Sequence, residues 1–231
     1  MNEWVIIFSH GFGVQKDDRG LFTDIATGLP AAIKKVLFDY NEVDHLANTL
    51  SVRPILTQAK ILKSKIDSAL ASGARKIIIV GHSQGCIVAA MTDLPSEVVE
   101  LIFLAPPVAF DLERSMNTFK SRPGTVINLE GESRLARRDG SITIVPAAYW
   151  RERSELDVSL SYGRCAKGRK LVIIQATNDE VLAGERSNLR VEGAVQIRLS
   201  ADHDFTGSAR PDVVEVVRSR IVNMIESNHV N

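Results

Sequence analysis

Cysteine is scarce, with only Cys86 and Cys165 among 231 residues. A disulfide framework is therefore excluded as the source of stability, and two free thiols suit a reducing cytoplasm, which is the expected location. Net charge is also missing, since 28 Lys and Arg match 28 Asp and Glu. Nucleic acids and anionic membrane surfaces both recruit partners through a surplus of positive charge, so neither is expected as the main partner. Long apolar runs are absent too. The N-terminal stretch Trp4 to Phe8 is short and has no basic segment ahead of it, so neither a signal peptide nor membrane insertion is expected. What is present is 45% hydrophobic and 24% charged residues, the balance of one soluble globular domain with a sizeable core.

Short Val- and Ile-rich runs recur, each followed by glycine or a polar loop and then a helical pattern, as in a parallel sheet covered on both faces. Six strands are predicted: Trp4 to Ser9, Lys35 to Asp39, Lys76 to Val80, Leu101 to Ala105, Leu171 to Ala176 and Val195 to Ser200. All six are taken as near-continuous hydrophobic strands. Pro54 to Ala71 carries apolar residues at helical spacing and ends before Gly73, which predicts a crossover helix; Pro211 to Ser227 repeats the period and should pack on the last strand.

The interval from about 107 to 170 is too long for one crossover and contains an Asp139–Gly140 turn signal between two strand-like runs. It is expected to be a cap inserted into a single domain spanning 1–231. Lys and Arg exceed Asp and Glu by four between Pro106 and Lys170, which leans toward an anionic or polar substrate, although a solvated surface accounts for it equally.

The string GHSQG, Gly81 to Gly85, follows the strand KIIIV and opens a segment able to continue as a helix. A serine on such a strand-to-helix turn is held in strained geometry with its hydroxyl in the open, and small residues two positions either side let the flanking chain pass closely. Ser83 is therefore the expected nucleophile. Serine needs a base and an orienting acid. His203 follows the last strand at the carboxyl end of the sheet, where Ser83 also lies. His82, His45 and His229 are expected to be structural or solvated.

Asp179 follows the strand LVIIQA and completes a Ser, Asp, His order along the chain. Glu180 is its local rival; Asp202 and Asp204 lie too near His203 in sequence, and Asp39 is expected to orient a loop. HGFG, His10 to Gly13, follows the first strand, so the Phe12 and Gln84 amides are the expected oxyanion donors. The Phe12 ring is a further candidate to line an acyl pocket. Tyr149, Trp150 and Tyr162 fit either a pocket or the cap core, with core the expected role.

Taken together, HGFG, GHSQG, NDEV and DHDF resemble the α/β-hydrolase superfamily over nearly the whole chain. The resemblance implies Ser83 as nucleophile, His203 as base, Asp179 as acid, Phe12 and Gln84 as oxyanion donors, and no metal or organic cofactor. Within the superfamily the pattern is similar to small carboxylesterases, including feruloyl esterase and lysophospholipase-like groups. Two departures stand out. The chain begins at what would be the family's third strand, so a reduced, mostly parallel six-stranded sheet is expected, and Cys86 replaces the second glycine of GHSQGG. The expected activity is cleavage of a carboxylic ester of a small acyl substrate through an acyl-enzyme. Alternatives are peptidase, amidase or thioesterase action with the same triad, or a non-catalytic ligand-binding protein on this scaffold.

Overall fold

The computed structural model describes residues 3–109, 111–182 and 189–227; His229 lies outside them. In chain order the elements are β1 (Trp4–Ser9), α1 (Leu21–Thr27), β2 (Lys34–Leu37), β3 (Glu42–Asp44), β4 (Thr49–Ser51), α2 (Ile55–Ala71), β5 (Lys76–His82), α3 (Gln84–Met91), β6 (Val98–Leu104), α4 (Leu112–Lys120), β7 (Glu132–Ala136), β8 (Ile142–Pro146), α5 (Ala147–Glu155), α6 (Val158–Cys165), β9 (Lys170–Ala176), β10 (Val195–Leu199) and α7 (Ala209–Ser227).

Six strands form one all-parallel sheet in the order β10-β9-β6-β5-β1-β2. Alternate side chains of the central strands feed two separate cores, as a period of two requires. Val5, Ile7, Ile77, Ile79, Leu101, Phe103, Leu171 and Ile173 face α2, α3 and α6. Ile6, Phe8, Ile78, Val80, Ile102, Leu104, Val172 and Ile174 face α1 and α7. The outer strand β10 departs from the hydrophobic expectation. Val195, Gln196 and Arg198 are exposed, because an edge strand has one unpaired side and needs no double cover.

A second sheet runs β3-β4-β8-β7. The Asp139–Gly140 turn joins β7 to β8 as an antiparallel hairpin, with Gly140 at φ 82°. Strand β8 also pairs in parallel with β4, so residues 42–51 and the interval 107–170 share this sheet. Strands β3 and β4 have only three residues each and are mostly polar, which left no hydrophobic signal in the sequence. Among the described residues no helix is long and apolar enough to cross a membrane.

Candidate active site

Parallel strands direct their carboxyl ends to one edge of the sheet, and the loops after β1, β5, β9 and β10 meet there. At the end of β5, Ser83 adopts φ 50° and ψ −122° and caps α3 without using its side chain to do so. Its hydroxyl is thus not consumed locally. It stands 2.8 Å from His203 Nε2, and His203 Nδ1 stands 2.8 Å from Asp179 Oδ2. Because Asp179 accepts at Nδ1, that nitrogen carries the proton and Nε2 is left to receive one from Ser83.

Asp179 and His203 are buried while Ser83 is half-buried. Burial pushes the Asp179 pKa up, but the hydrogen bond and charge of His203, with the amides of Leu182 and Val181, outweigh it, and the net direction is down. The acid is therefore an anion fixed at both oxygens, Oδ1 accepting from Leu182 N–H at 2.7 Å. The rivals are engaged elsewhere. Glu180 is exposed and accepts the His203 amide at 3.3 Å, Asp202 caps Thr206, Asp204 pairs with Arg19, and Asp39 accepts the Lys16 amide at 2.6 Å.

Gly85 is required by close approach, since a Cβ there would lie 1.8 Å from the Ser9 carbonyl oxygen at the end of β1. That approach brings the two loops together, and the Gly11 backbone comes against Ser83, with 3.5 Å between a Cβ built on Gly11 and the Ser83 Cβ. Gly85→Ala is expected to cost about 1–3 kcal/mol through overpacking, measured as a lowered midpoint of chemical unfolding; an unchanged midpoint would contradict this contact. Of the two HGFG glycines only Gly13 has positive φ, at 63°; Gly11 has room for a methyl group.

Neither the Phe12 nor the Gln84 amide has a hydrogen-bond partner among the described residues. The Gln84 side chain, by contrast, is fully held. Its Nε2 donates to Gln58 Oε1 at 2.9 Å and its Oε1 accepts from Tyr149 hydroxyl at 2.5 Å. The Phe12 ring packs 5.3 Å from Tyr149 and 6.1 Å from Phe119, centroid to centroid. Tyr149 therefore bridges the Phe12 ring and the Gln84 side chain, while Trp150 and Tyr162 are core residues that bond Ser133 Oγ and the Pro107 carbonyl.

A second carboxylate–imidazole pair lies behind the first. His82 Nδ1 is 2.9 Å from Asp18 Oδ2 and its Nε2 is 3.0 Å from the His203 carbonyl oxygen; Asp18 also accepts the Gly11 amide at 2.9 Å. Both partners of His82 can only accept, so both ring nitrogens donate and His82 is an imidazolium. Its pKa moves accordingly. Burial lowers it, but the charge and hydrogen bond of Asp18, with the His203 carbonyl, raise it overall, and His82 in turn holds Asp18 below the usual carboxylate range. His10 is the opposite case, neutral and lowered by burial, with Nε2 accepting the Tyr40 amide and Nδ1 donating to the Gly11 carbonyl. His45 is exposed, as expected.

His82, His203 and Asp204 bring ligand-type atoms within 4.8 Å of one another. All four imidazole nitrogens already have partners in Asp18, the His203 carbonyl, Asp179 and Ser83, so this trio has no free imidazole lone pair for a cation. Cys86 and Cys165 are buried free thiols, each raised by burial. A buried neutral thiol is a poor nucleophile.

No protein-family model and no curated protein matches the sequence. Solved structures do match over nearly the full chain. Est1E from Butyrivibrio proteoclasticus, in a structure with ferulic acid bound, superposes with a TM-score of 0.70 at 17% identity, covering 96% of this chain and 89% of that one. A thermophilic esterase from Thermogutta terrifontis, malate-bound, gives 0.66 at 14% identity over 95% and 89%. The peroxisomal alpha-beta-hydrolase Lpx1 from Saccharomyces cerevisiae gives 0.62 at 13% identity over 97% and 78%. A six-stranded parallel sheet, helices on both its faces, a serine elbow after β5 and these superpositions agree on one architecture, the α/β-hydrolase fold.

Proposed function

We propose that this chain is a serine hydrolase that cleaves a carboxylic ester through an acyl-enzyme. The observation that carries it is the unbroken chain of contacts from Ser83 Oγ through His203 to Asp179, each link 2.8 Å. Ser83 attacks the carbonyl carbon as its proton passes to His203 Nε2, and the oxygen's developing charge falls to the Phe12 and Gln84 amides. His203 then returns the proton to the departing alcohol. Water, deprotonated by the same nitrogen, releases the acid and frees Ser83. Residues 107–170 serve as the cap, contributing Tyr149 and Phe119 around Phe12.

Ester cleavage is favoured over a binding-only role because strain, unused amides and an ordered imidazole converge at one hydroxyl, and pure binding requires none of them. Similarity to the esterases named above supports the same class. A fluorophosphonate probe is expected to label folded protein once, at Ser83, as read by mass of the modified peptide. Failure to label, with native circular dichroism, would support the binding-only alternative. Parallel rates on ester, thioester and amide panels separate ester cleavage from the same triad acting on other acyl groups.

A further inference from the structure

Beyond the Asp18–His82 pair at Gly11, guanidiniums flank the loop that carries the proposed Phe12 amide. Arg137, just past β7, donates from Nη2 to the Gly13 carbonyl at 2.9 Å, one residue beyond Phe12. Its Nη1 lies against the same glycine, 2.8 Å from where a Cβ would stand. Among the described residues no carboxylate is in ion-pair reach of Arg137, and its Nη1 and Nε have no hydrogen-bond acceptor although neither is sealed from solvent. Arg122 sits 5.3 Å from the centre of the Phe119 ring, which packs on Phe12, and it too lacks an ion pair among the described residues.

On the histidine side, Arg19 pairs with Asp204, whose carboxylate lies within 4.8 Å of the ring nitrogens of His82 and His203. The charge of Arg19 is therefore matched. Those of Arg137 and Arg122 are not. Burial and the repulsion of Arg19 and Arg122 together hold the Arg137 pKa below its ordinary value, and Asp139 and Asp204 offset this only in part. Like charges gathered in a partly dehydrated site cost energy that a bound anion would relieve. A loop clamp needs one donor, which Nη2 supplies; the remaining donors of a planar fork suit a carboxylate.

We propose that Arg137, with Arg122 beside it, is a subsite for a carboxylate on the substrate, so that the ester cleaved at Ser83 bears a negative charge away from its scissile bond. This inference rests on the ester-hydrolase reading. Gly13 lies two residues beyond Gly11, so backbone spacing sets the charge on the order of 6–10 Å from the reacting carbon, a gap that four or five methylenes span.

The test compares kcat/KM for monomethyl adipate with methyl hexanoate, and for 6-acetoxyhexanoate with hexyl acetate, which put the charge on the acyl and alcohol sides in turn. In one pair the charged ester is expected to lead by about 10–100-fold, the worth of a charged hydrogen bond, mainly through KM. The lead should shrink in 0.5 M NaCl and fall about tenfold or more in Arg137→Gln, with Arg137→Lys between. A ratio cancels any general loss of activity from the Gly13 contact. In a second arm, adipate should raise the Tm of the wild type more than hexanoate does, and should lose that advantage in Arg137→Gln.

Neutral esters preferred in both pairs, or a charged-ester lead unmoved by both Arg137→Gln and Arg122→Gln, would overturn the subsite. If no ester is cleaved at all, the hydrolase reading fails, and the adipate Tm arm alone decides the subsite.

Discussion

Ser83→Ala is expected to lower kcat for an activated ester by about 10⁶-fold, with secondary structure and unfolding midpoint unchanged. The half-buried hydroxyl makes no capping bond, and its one side-chain hydrogen bond among the described residues is with His203, so its removal deletes the proposed nucleophile without unpairing a structural group. His203→Ala should cost a comparable factor, and the double variant little more than either, because the two residues act in one step. Asp179→Asn should keep the shape but let the amide donate to Nδ1, which leaves the Nε2 proton facing Ser83; a loss of about 10⁴-fold in kcat is expected. Independent, multiplying losses in the double variant would contradict a shared step. So would a Ser83→Ala enzyme within tenfold of the wild type.

These three residues were legible in the sequence for a topological reason. Each stands directly after a parallel strand, at β5, β9 and β10, and β5 and β9 are strongly hydrophobic runs that announce themselves. The glycines flanking Ser83 were legible for a steric one, since a Cβ on Gly85 would run into the Ser9 carbonyl of β1 and one on Gly81 would crowd the first turn of α3 at 3.1–3.2 Å. The supporting shell was not legible. Asp18 lies in the polar loop QKDDRG beside Asp17, with nothing local to separate a residue at 3% exposure from an exposed neighbour. Gln58 is a polar residue on the inward face of α2, and its reason for being buried, the Gln84 side chain, lies on another helix. His82 was expected to be structural, but its partners come from the loops after β1 and β10, which no local pattern joins to it. The second sheet escaped for a similar reason, since its pairing of β4 with β8 connects segments far apart in the chain. Positions fixed by backbone path are therefore visible in one dimension, while positions fixed by a side-chain partner far along the chain are not.

Asp18→Ala is expected to destabilise the fold by about 3–5 kcal/mol near pH 6, because it strands a buried imidazolium. Asp18 and His82 are each 2–3% exposed, and the groups facing His82 are Asp18 from the loop after β1 and His203, Asp204 and Phe205 from the loop after β10. The pH dependence has a definite sign. The pKa of His82 is raised on folding from its ordinary 6.5, so its contribution is full below 6.5 and fades as pH rises through the folded value. That of Asp18 is lowered from 3.8, so its contribution is full above 3.8 and fades as pH falls through the folded value. The stability gap between wild type and variant, from urea midpoints across pH, should therefore be greatest between 3.8 and 6.5 and narrow on either side. Asp18→Asn can still accept the Gly11 amide and should fold better than the alanine variant. It removes the charge that keeps His82 protonated, however, so His82 becomes neutral at lower pH than in the wild type and, with one N–H left for two acceptors, holds the His203 carbonyl less firmly. Its kcat should consequently begin to fall at a lower pH while KM holds, which a purely structural loop anchor would not produce. A stability gap constant from pH 4 to 9, together with wild-type pH profiles for Asp18→Asn, would show that the pair neither carries charge nor steadies His203, the proposed base.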